Sequence, residues 1–448
     1  MRSARETLRP AAFFDRVGHV VEVKGLSIEA EGPDAFLGEI CQIQTSLGAV
    51  IDAEVVAFRD GRVCLTPLSP PQGLAVGARV TASGHAFQCP VGKGFLGRVV
   101  DTCGRPIDGL GPIESDEVRG LHVEPRPVLS RQRITEVLST GVKAIDTFLP
   151  LGKGQRVGLF AGSGVGKSTL LGMITQGVQA DVNVVALIGE RGREVREFVE
   201  DHLGDAGMKK AVVVVATADA PAVLRLNAAY YATTLAEYFR DQGLSVVLTV
   251  DSLTRLAMAR REIGLAAGEP PTSRGYTPSV FSEIPALCER CGTDAGQGAI
   301  TGIYTILVEG DDANEPVSDT ARATLDGHIM LSRSLASSGH YPPIDVLGSV
   351  SRLASTLWQP DQRQWVSGLL DRMATYERNR QLVEIGAHRP GVNAELDQAV
   401  ATLPVLRRFL RQSAQVRVPL SESWSELKGV ALSGEGASKA PERKGSAS

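Results

Sequence analysis

The chain has 448 residues, 43% of them hydrophobic and 22% charged, a composition typical of globular proteins, and its length predicts two or three domains. Its net charge of −4 provides no overall positive field for nucleic acid, and six cysteines spread over this length argue against a disulfide framework. Because the sequence has no apolar run of membrane-spanning length and no signal-peptide pattern at its start, we expect a cytoplasmic protein.

The N-terminal part of the chain predicts a short arm followed by a small β-domain. Residues 1–17 form the arm, and residues 18–90 contain short β-rich runs separated by Gly, Pro and Asp turns such as Asp60-Gly61. Several short strands at close spacing are typical of a small β-barrel or sandwich. We expect strands at residues 20–23, 39–43, 50–58, 63–66 and 78–82.

Residues 91–373 predict an α/β domain, because apolar strands alternate there with helical stretches, as in a mainly parallel sheet with crossover helices. Residues 374–432 continue the helical pattern without strands, broken at Arg389-Pro390-Gly391 and at Pro404, which predicts a small helical domain. The tail, residues 433–448, lacks large apolar residues and is expected to be disordered. The strands of the α/β domain are expected at residues 156–160, 184–188, 212–216, 246–250, 301–308 and 328–331.

The strongest chemical signal is the segment AGSGVGKST, which lies directly after the apolar run RVGLF and before a helical stretch. Its alternating glycines let successive backbone N–H groups turn around a phosphate at a helix N-terminus. Lys167 supplies positive charge to the β- and γ-phosphates, and the Ser168 hydroxyl suits a magnesium ion. The strict pattern begins with Gly, where this chain has Ala161. Binding of a nucleoside triphosphate is predicted at Ala161, Gly162, Ser163, Gly164, Val165, Gly166, Lys167, Ser168 and Thr169.

Two further strands end in carboxylates: VVALIG runs into Glu190, and SVVLTV ends in Asp251. Ligands of open α/β sheets bind beyond the carboxyl ends of the strands, so both carboxylates can face the phosphates. Glu190 is predicted to orient or deprotonate the attacking water, with Arg191 positioning it or touching the phosphate. Asp251 is predicted to hold magnesium, and Arg255 to reach the phosphate. The alternatives are a solvated Glu-Arg pair at the strand end and a surface arginine on the following helix.

Longer segments resemble the rotary ATP synthase α/β superfamily, namely PPIDVLGSVSR, VGKGFLGRVVDTCGRPIDG and STGVKAIDTFLPLGKGQRVGLF. Within this superfamily, two segments are similar to the export ATPases of flagella and type III secretion systems, namely GEPPTSRGYTPSVFSEIPALCERCG and ILVEGDDANEPVSDTARATLDGHIMLSR. The resemblance extends from about residue 18 to residue 412. It implies a RecA-like central domain between the barrel and the helical domain, with ATP and magnesium as ligands. It also implies the roles predicted above for Lys167, Ser168, Glu190, Arg191, Asp251 and Arg255.

The resemblance implies roles for two more residues. Tyr341 matches the tyrosine that packs on the adenine ring in the catalytic subunits of the synthases, although an ordinary half-buried tyrosine is the alternative. Arg352 matches an arginine finger that enters the site of the neighbouring subunit, the alternative being a structural ion pair. One chain carries both Glu190 and Arg352, so a ring of identical copies could build complete sites at every interface, and the resemblance points to a homohexamer.

The resemblance further implies that hydrolysis serves a protein export apparatus at the inner face of the cytoplasmic membrane, with which the protein associates peripherally. The partners that it implies are a stalk-like negative regulator, a small coiled-coil protein in the central pore, the export gate and chaperone–substrate complexes, and no nucleic acid. The arm at residues 1–17 could dock the regulator. Flagellar export is favoured over a virulence injectisome, because AEVVAFRDGRVCLTPLSPPQGLAVGARV is more similar to flagellar members.

Three other functions are less compatible with the sequence. The export-type segments argue against a catalytic subunit of a rotary synthase. An RNA-translocating hexamer should offer basic and aromatic residues on its barrel, and here the span of the expected barrel strands, residues 20–82, has only Phe36 and Phe58 as aromatic residues, with few Lys or Arg. A pure scaffold or nucleotide sensor would be expected to lack Glu190 or Arg352, and both are present.

Overall fold

The computed structural model describes residues 16–25, 27–308 and 315–433. Residues 1–15 of the predicted arm and residues 434–448 of the tail expected to be disordered lie outside this part of the chain. Among the described residues, no helix is long and apolar enough to cross a membrane.

Within the described chain, six N-terminal strands close a β-barrel, which confirms the predicted β-domain. Alternate side chains such as Val20, Ile28, Ile43 and Leu65 fill its interior, and closure leaves no free strand edge. Neighbours run antiparallel in the order β1-β2-β5-β4-β3-β6 around the barrel. These strands are β1 (Val17–Lys24), β2 (Ser27–Glu31), β3 (Glu39–Gln44), β4 (Val50–Arg59), β5 (Arg62–Pro67) and β6 (Arg79–Ala86).

After the barrel, the described strands build one large sheet and two small pairs, β7 with β9 and β10 with β11. The large sheet has the order β19-β18-β12-β17-β15-β13-β14-β8, and β16 pairs with β17. All of its strands are parallel except β16 and β19, which confirms the mainly parallel sheet. The strands are β7 (Gln88–Val91), β8 (Arg98–Asp101), β9 (Glu117–Gly120), β10 (Val137–Leu138), β11 (Leu151–Gly152), β12 (Arg156–Ala161), β13 (Val182–Glu190), β14 (Ala211–Thr217), β15 (Ser245–Asp251), β16 (Gly292–Thr293), β17 (Ala299–Leu307), β18 (Gly327–Leu331) and β19 (Ile344–Ser351).

Helices cover both faces of the large sheet, so its central strands are buried on both sides. Consecutive residues Val184 and Val185 of β13 contribute to hydrophobic cores on opposite faces. The central helices are α1 (Lys143–Phe148), α2 (Lys167–Gly177), α3 (Gly192–Glu197), α4 (Gly204–Met208), α5 (Ala222–Asp241), α6 (Leu253–Ala266), α7 (Pro278–Cys288), α8 (Pro316–Thr324), α9 (Arg333–Ser337) and α10 (Ala354–Leu357), with a π-helical turn at Phe198–Leu203 and 3₁₀ turns at Lys93–Phe95, Val128–Ser130 and Ser273–Gly275.

The C-terminal part of the described chain is helical, as predicted: α11 (Pro360–Arg378), α12 (Arg380–Glu384), α13 (Ala394–Leu410) and α14 (Leu420–Ser433). The expected break at Arg389-Pro390-Gly391 falls in the loop before α13. The expected break at Pro404 is wrong, because Pro404 lies inside α13. Proline removes one backbone hydrogen bond, but buried neighbours such as Leu403 and Leu406 anchor this helix in the core, so packing outweighs the local preference.

Candidate active site

The glycine-rich segment forms a loop between β12 and α2, as the sequence predicts. Gly164 and Gly166 have φ values of 74° and 108°, in the left-handed region that glycine adopts without strain. Gly166 is the N-cap of α2, and it has no side chain to accept a hydrogen bond from the first turn of that helix. The first-turn N–H groups of this 11-residue helix therefore lie directly after a glycine-rich loop, an arrangement that binds phosphate.

Four of the predicted site residues, Lys167, Ser168, Glu190 and Asp251, lie together. The Lys167 ammonium contacts the Asp251 carboxylate, and its Nζ lies 3.7 Å from Oε1 of Glu190. Thr305 of β17 donates a hydrogen bond from its hydroxyl to Oδ1 of Asp251, at 2.6 Å. Ser168, Glu190 and Asp251 line a cavity of about 60 Å³. These groups meet because β12, β13 and β15 are parallel, and their carboxyl ends share one edge of the sheet.

Glu190 has an unusual electrostatic environment. Burial, a hydrogen bond with the Glu194 carboxyl and the negative charge of Asp251 raise its pKa, against the lowering effect of Lys167. Hydrogen bonding with Glu190 lowers the pKa of Glu194 in turn. A carboxyl group whose pKa lies closer to neutrality is suited to accept a proton from water.

The two arginines predicted beside these carboxylates are placed differently. The side chain of Arg255 packs over Gly189, where a Cβ would lie 3.3 Å from its Cδ. The Nε of Arg255 is buried and makes no hydrogen bond within the described chain. The Arg191 side chain is instead 82% exposed and lies 3.7 Å from Glu194, so the structure does not bring it into the cavity.

Tyr341 and Arg352 lie at opposite ends of β19. This strand runs antiparallel to β18, beginning beside the carboxyl end of β18 and ending beside its amino end. Tyr341, before β19, places its Cε1 3.8 Å from the position of a Cβ on Gly166. Arg352, after β19, donates its backbone N–H to the carbonyl of Asp326 at 3.0 Å, and the Asp326 carboxylate binds the backbone N–H of Arg156 at the start of β12. Tyr341 therefore adjoins the phosphate loop, and Arg352 does not.

Three residues at the site were not predicted from the sequence. Glu194 could have been suspected from its position one helical turn after Glu190. Thr305 has no signal in the sequence, because its contact with Asp251 depends on β17 and β15 being neighbours. Arg333, which donates to the Ser163 carbonyl at 3.3 Å, belongs to the segment after β18, and its approach likewise depends on the strand order.

Family models and known proteins match the chain over most of its length. The "ATP synthase alpha/beta family" models match at residues 20–84 (beta-barrel domain) and 141–351 (nucleotide-binding domain), and the "T3SS EscN ATPase C-terminal domain" matches at 358–429. The flagellum-specific ATP synthase of Bacillus subtilis is 46% identical, over 92% of this chain and 95% of that protein. The type 3 secretion system ATPase of Sinorhizobium fredii is 46% identical, over 88% of both.

Solved structures agree with this relationship. The assembled ATPase EscN of the enteropathogenic E. coli type III secretion system superposes with a TM-score of 0.89 at 41% identity, covering 92% of this chain and all of that one. A second structure, of assembled EscN in complex with its central stalk EscO, gives a TM-score of 0.85 at 40% identity. The chain therefore belongs to the flagellar and type III secretion export ATPases of the ATP synthase alpha/beta family.

Proposed function

We propose that this ATPase hydrolyses Mg²⁺-bound ATP at the interfaces of a ring of six identical copies, and that it energises and gates protein export in a flagellar apparatus. The observation that carries the proposal is the direction of β19, which separates Tyr341 from Arg352. Each copy has Tyr341 at the phosphate loop of its own site, whereas its Arg352 faces away from that site. A complete site then needs Arg352 from a second copy.

The distance between Arg352 and the phosphate loop of the same chain is too large for Arg352 to act at that site. Its backbone lies beside Asp326 and Arg156, at the start of β12, whereas the phosphate loop follows Ala161, at the end of that strand. The six residues of β12 span about 16 Å at roughly 3.3 Å per residue. An arginine side chain does not cover this distance. Head-to-tail contacts between identical copies close into rings, in which each Arg352 would serve the next site.

The side chains around the cavity fit a magnesium ion bound with the nucleotide. Mg²⁺ prefers oxygen ligands and is commonly held by one or two carboxylates together with substrate phosphates. Asp251 offers a carboxylate that Thr305 orients, Ser168 offers a hydroxyl, and both line the same cavity. When bound, magnesium would neutralise charge on the β- and γ-phosphate oxygens.

The remaining side chains of the site have separate roles in binding the phosphates and activating the water. Lys167 binds the β- and γ-phosphates as a point charge, while the loop amides and the first turn of α2 hold the phosphate oxygens. Glu190 orients the attacking water and accepts its proton, helped by its raised pKa. Arg255, whose side chain packs over Gly189, would reach the γ-phosphate. Arg191, which is exposed in the single chain, binds phosphate or Glu190 only after it swings inward.

The acid limb of the pH profile should move when Glu194 is changed. As the pH falls through the raised pKa of Glu190, the carboxylate is protonated and kcat/KM is lost, at a higher pH than for a glutamate with the ordinary value of 4.5. Glu194→Gln removes a negative neighbour, so the midpoint of the acid limb of kcat/KM should shift to lower pH. Glu200→Gln, an exposed glutamate paired with Arg196, is the control and should leave the midpoint in place. A midpoint unmoved or raised in Glu194→Gln would contradict this view of Glu190.

Flagellar export is favoured over an injectisome by the barrel segment noted above. By analogy with the EscN–EscO complex, the central opening of the ring would hold a small coiled-coil stalk. A stalk-like regulator, the export gate and chaperone–substrate complexes complete the proposed partners, at the inner face of the cytoplasmic membrane.

A strain carrying this gene would test the flagellar assignment. Deletion should abolish filament growth and swimming, and the wild-type gene supplied in trans should restore both. Glu190→Gln should restore them poorly although the protein is present at the same level, because that variant lacks the proposed base. A motile deletion strain that has lost secretion of effector proteins would assign the ATPase to an injectisome instead.

A further inference from the structure

Glu54 of β4 lies where the barrel meets the central domain. In the pairing of β3 with β4 it stands opposite Ile40, whose side chain belongs to the hydrophobic core of the central domain and not to the barrel interior. In the pairing of β4 with β5 it stands opposite Thr66, whose hydroxyl is buried without a hydrogen-bond partner among the described residues. Across the interface, Asn227 of α5 donates a hydrogen bond from Nδ2 to Oε2 of Glu54 at 3.2 Å. One amide and one carboxyl group therefore join the two domains.

The carbonyl oxygen of the Asn227 amide is left without a partner. Asn227 is 0% exposed, and its Oδ1 makes no hydrogen bond to the described part of the chain. An ionised carboxylate only accepts hydrogen bonds, so an ionised Glu54 cannot satisfy this oxygen. A neutral carboxyl group has one O–H donor and one carbonyl acceptor, and it can exchange two hydrogen bonds with a primary amide. The unpartnered Oδ1 therefore indicates that Glu54 carries a proton.

The groups around Glu54 are compatible with a neutral carboxyl. Burial is the largest influence and raises the pKa of Glu54 to about 7, against its hydrogen bond with the α5 amide and the positive charge of Arg260 on α6. Arg260 is paired with Glu283 of α7, with 3.2 Å between Nε and Oε2, and the charge of Glu283 raises the pKa of Glu54 further. Tyr230 of α5 donates its hydroxyl to Glu283, and the ring of His122 packs against that of Tyr230. The one cation that acts on Glu54 is thus already compensated by a carboxylate.

We propose that Glu54 and Asn227 form a proton-dependent contact between the barrel and the central domain, closed when the Glu54 carboxyl is neutral and loosened when it ionises. In the closed form the O–H of Glu54 donates to Oδ1 of Asn227, while Nδ2 donates to the other carboxyl oxygen. When this proton is lost to water, two acceptor oxygens face each other and one hydrogen bond is lost. The contact lies within one chain, so the inference does not depend on the proposed ring.

The position of α5 links this contact to the nucleotide site. Residues of α5 such as Ala228 and Tyr231 share one hydrophobic core with Val184 of β13 and Val250 of β15. These two strands end in the carboxylates of the site, Glu190 and Asp251. The helix that receives the barrel therefore packs directly on the strands that carry the chemistry.

The direction of the pH dependence follows from the raised pKa of Glu54. A carboxyl whose pKa in the closed contact is about 7, against the ordinary 4.5, stabilises that contact at low pH, and the stabilisation is lost as the pH rises through 7. The equilibrium constant for opening should increase roughly 10-fold between pH 6 and pH 8. Glu54→Gln keeps a neutral donor and acceptor at every pH, so its contact should not respond.

Hydrogen exchange measured by mass spectrometry tests this on the full chain. In peptides that cover β4 and the first half of α5, the ratio of the wild-type exchange rate to that of Glu54→Gln should rise roughly 10-fold from pH 6 to pH 8. Comparison at equal pH cancels the intrinsic pH dependence of exchange. Glu22→Gln is the matched control, because Glu22 is an exposed barrel glutamate paired with Lys24 at 2.9 Å, and it should retain the wild-type profile.

Two further measurements keep the test decisive if Glu54→Gln folds poorly. Wild-type exchange divided by that of the unfolded peptides at each pH should show the same rise. The exchanged pair Glu54→Gln/Asn227→Asp moves the acid to α5 and the amide to β4, and it should restore a pH-dependent contact.

Three results would overturn the inference. A ratio that stays constant from pH 6 to pH 8 would show that Glu54 holds no proton in the closed contact. A ratio that falls with pH would show that the ionised form closes it. An exchanged pair whose exchange is as independent of pH as that of Glu54→Gln would show that the acid and the amide do not share the proton.

Discussion

Replacing Glu190 with glutamine is expected to lower kcat by about 10²- to 10⁴-fold, the usual contribution of a general base. Glutamine has nearly the same shape, so Lys167, Asp251 and the loop remain in place to bind the nucleotide. It cannot accept a proton, and the buried position leaves few other groups to do so. Steady-state phosphate release gives kcat, and equilibrium binding of a fluorescent ATP analogue gives the affinity, which should be little changed.

Glu200→Gln serves as the control for this prediction, because Glu200 is an exposed glutamate paired with Arg196 in the same stretch of chain. It should keep the wild-type rate. A Glu190→Gln protein that retains full kcat would remove Glu190 from the chemistry. Loss of binding together with kcat would instead assign it a role in holding the nucleotide.

Replacing Arg352 with alanine is expected to lower kcat by about 10³- to 10⁵-fold, as for other arginines that stabilise the charge of a phosphoryl-transfer transition state. The fold should persist, because the hydrogen bond that the side chain makes among the described residues goes to a backbone carbonyl at the end of α8. Measurements of kcat, of thermal unfolding and of the mass of the assembled protein separate a catalytic effect from loss of the ring.

Arg105→Ala is a suitable control for Arg352, since Arg105 is 74% exposed and pairs with Asp101 at the end of β8. The control should keep its activity. An Arg352→Ala ring that forms normally and hydrolyses ATP at the wild-type rate would show that Arg352 is a structural residue. An Arg352→Ala variant that no longer assembles would show that Arg352 stabilises the interface between copies and not the transition state.

Most residues of the nucleotide site could be predicted from local patterns in the sequence. A strand, a glycine-rich loop and a helix follow one another without interruption around Lys167, and Glu190 and Asp251 each close an apolar run. Because parallel strands share one carboxyl edge, their meeting could be predicted without knowing the strand order. The structure brings Lys167, Glu190 and Asp251 together as this reasoning requires.

Contacts between strands distant in sequence could not be predicted in the same way. The segment of β19 was recognised through its motif and not as a strand, so its antiparallel direction, which separates Tyr341 from Arg352, had no signal of its own. The contact of Thr305 with Asp251 depends on strand order, and that of Arg322 with Arg352 on the packing of α8. Pro404 shows the opposite case. Its proline predicts a helix break, but the helix continues through it because neighbouring side chains are buried in the core.

The central claim, that each site is shared between two copies, is tested most directly by mixing Glu190→Gln and Arg352→Ala chains. Each is expected to be nearly inactive alone. In rings assembled from equal amounts, about one interface in four joins an intact Glu190 to an intact Arg352. The account predicts ATP hydrolysis at up to about a quarter of the wild-type rate, calibrated by wild type mixed with Glu190→Gln. A mixture no more active than the average of the two variants, under conditions where the calibration mixture stays active, would contradict it.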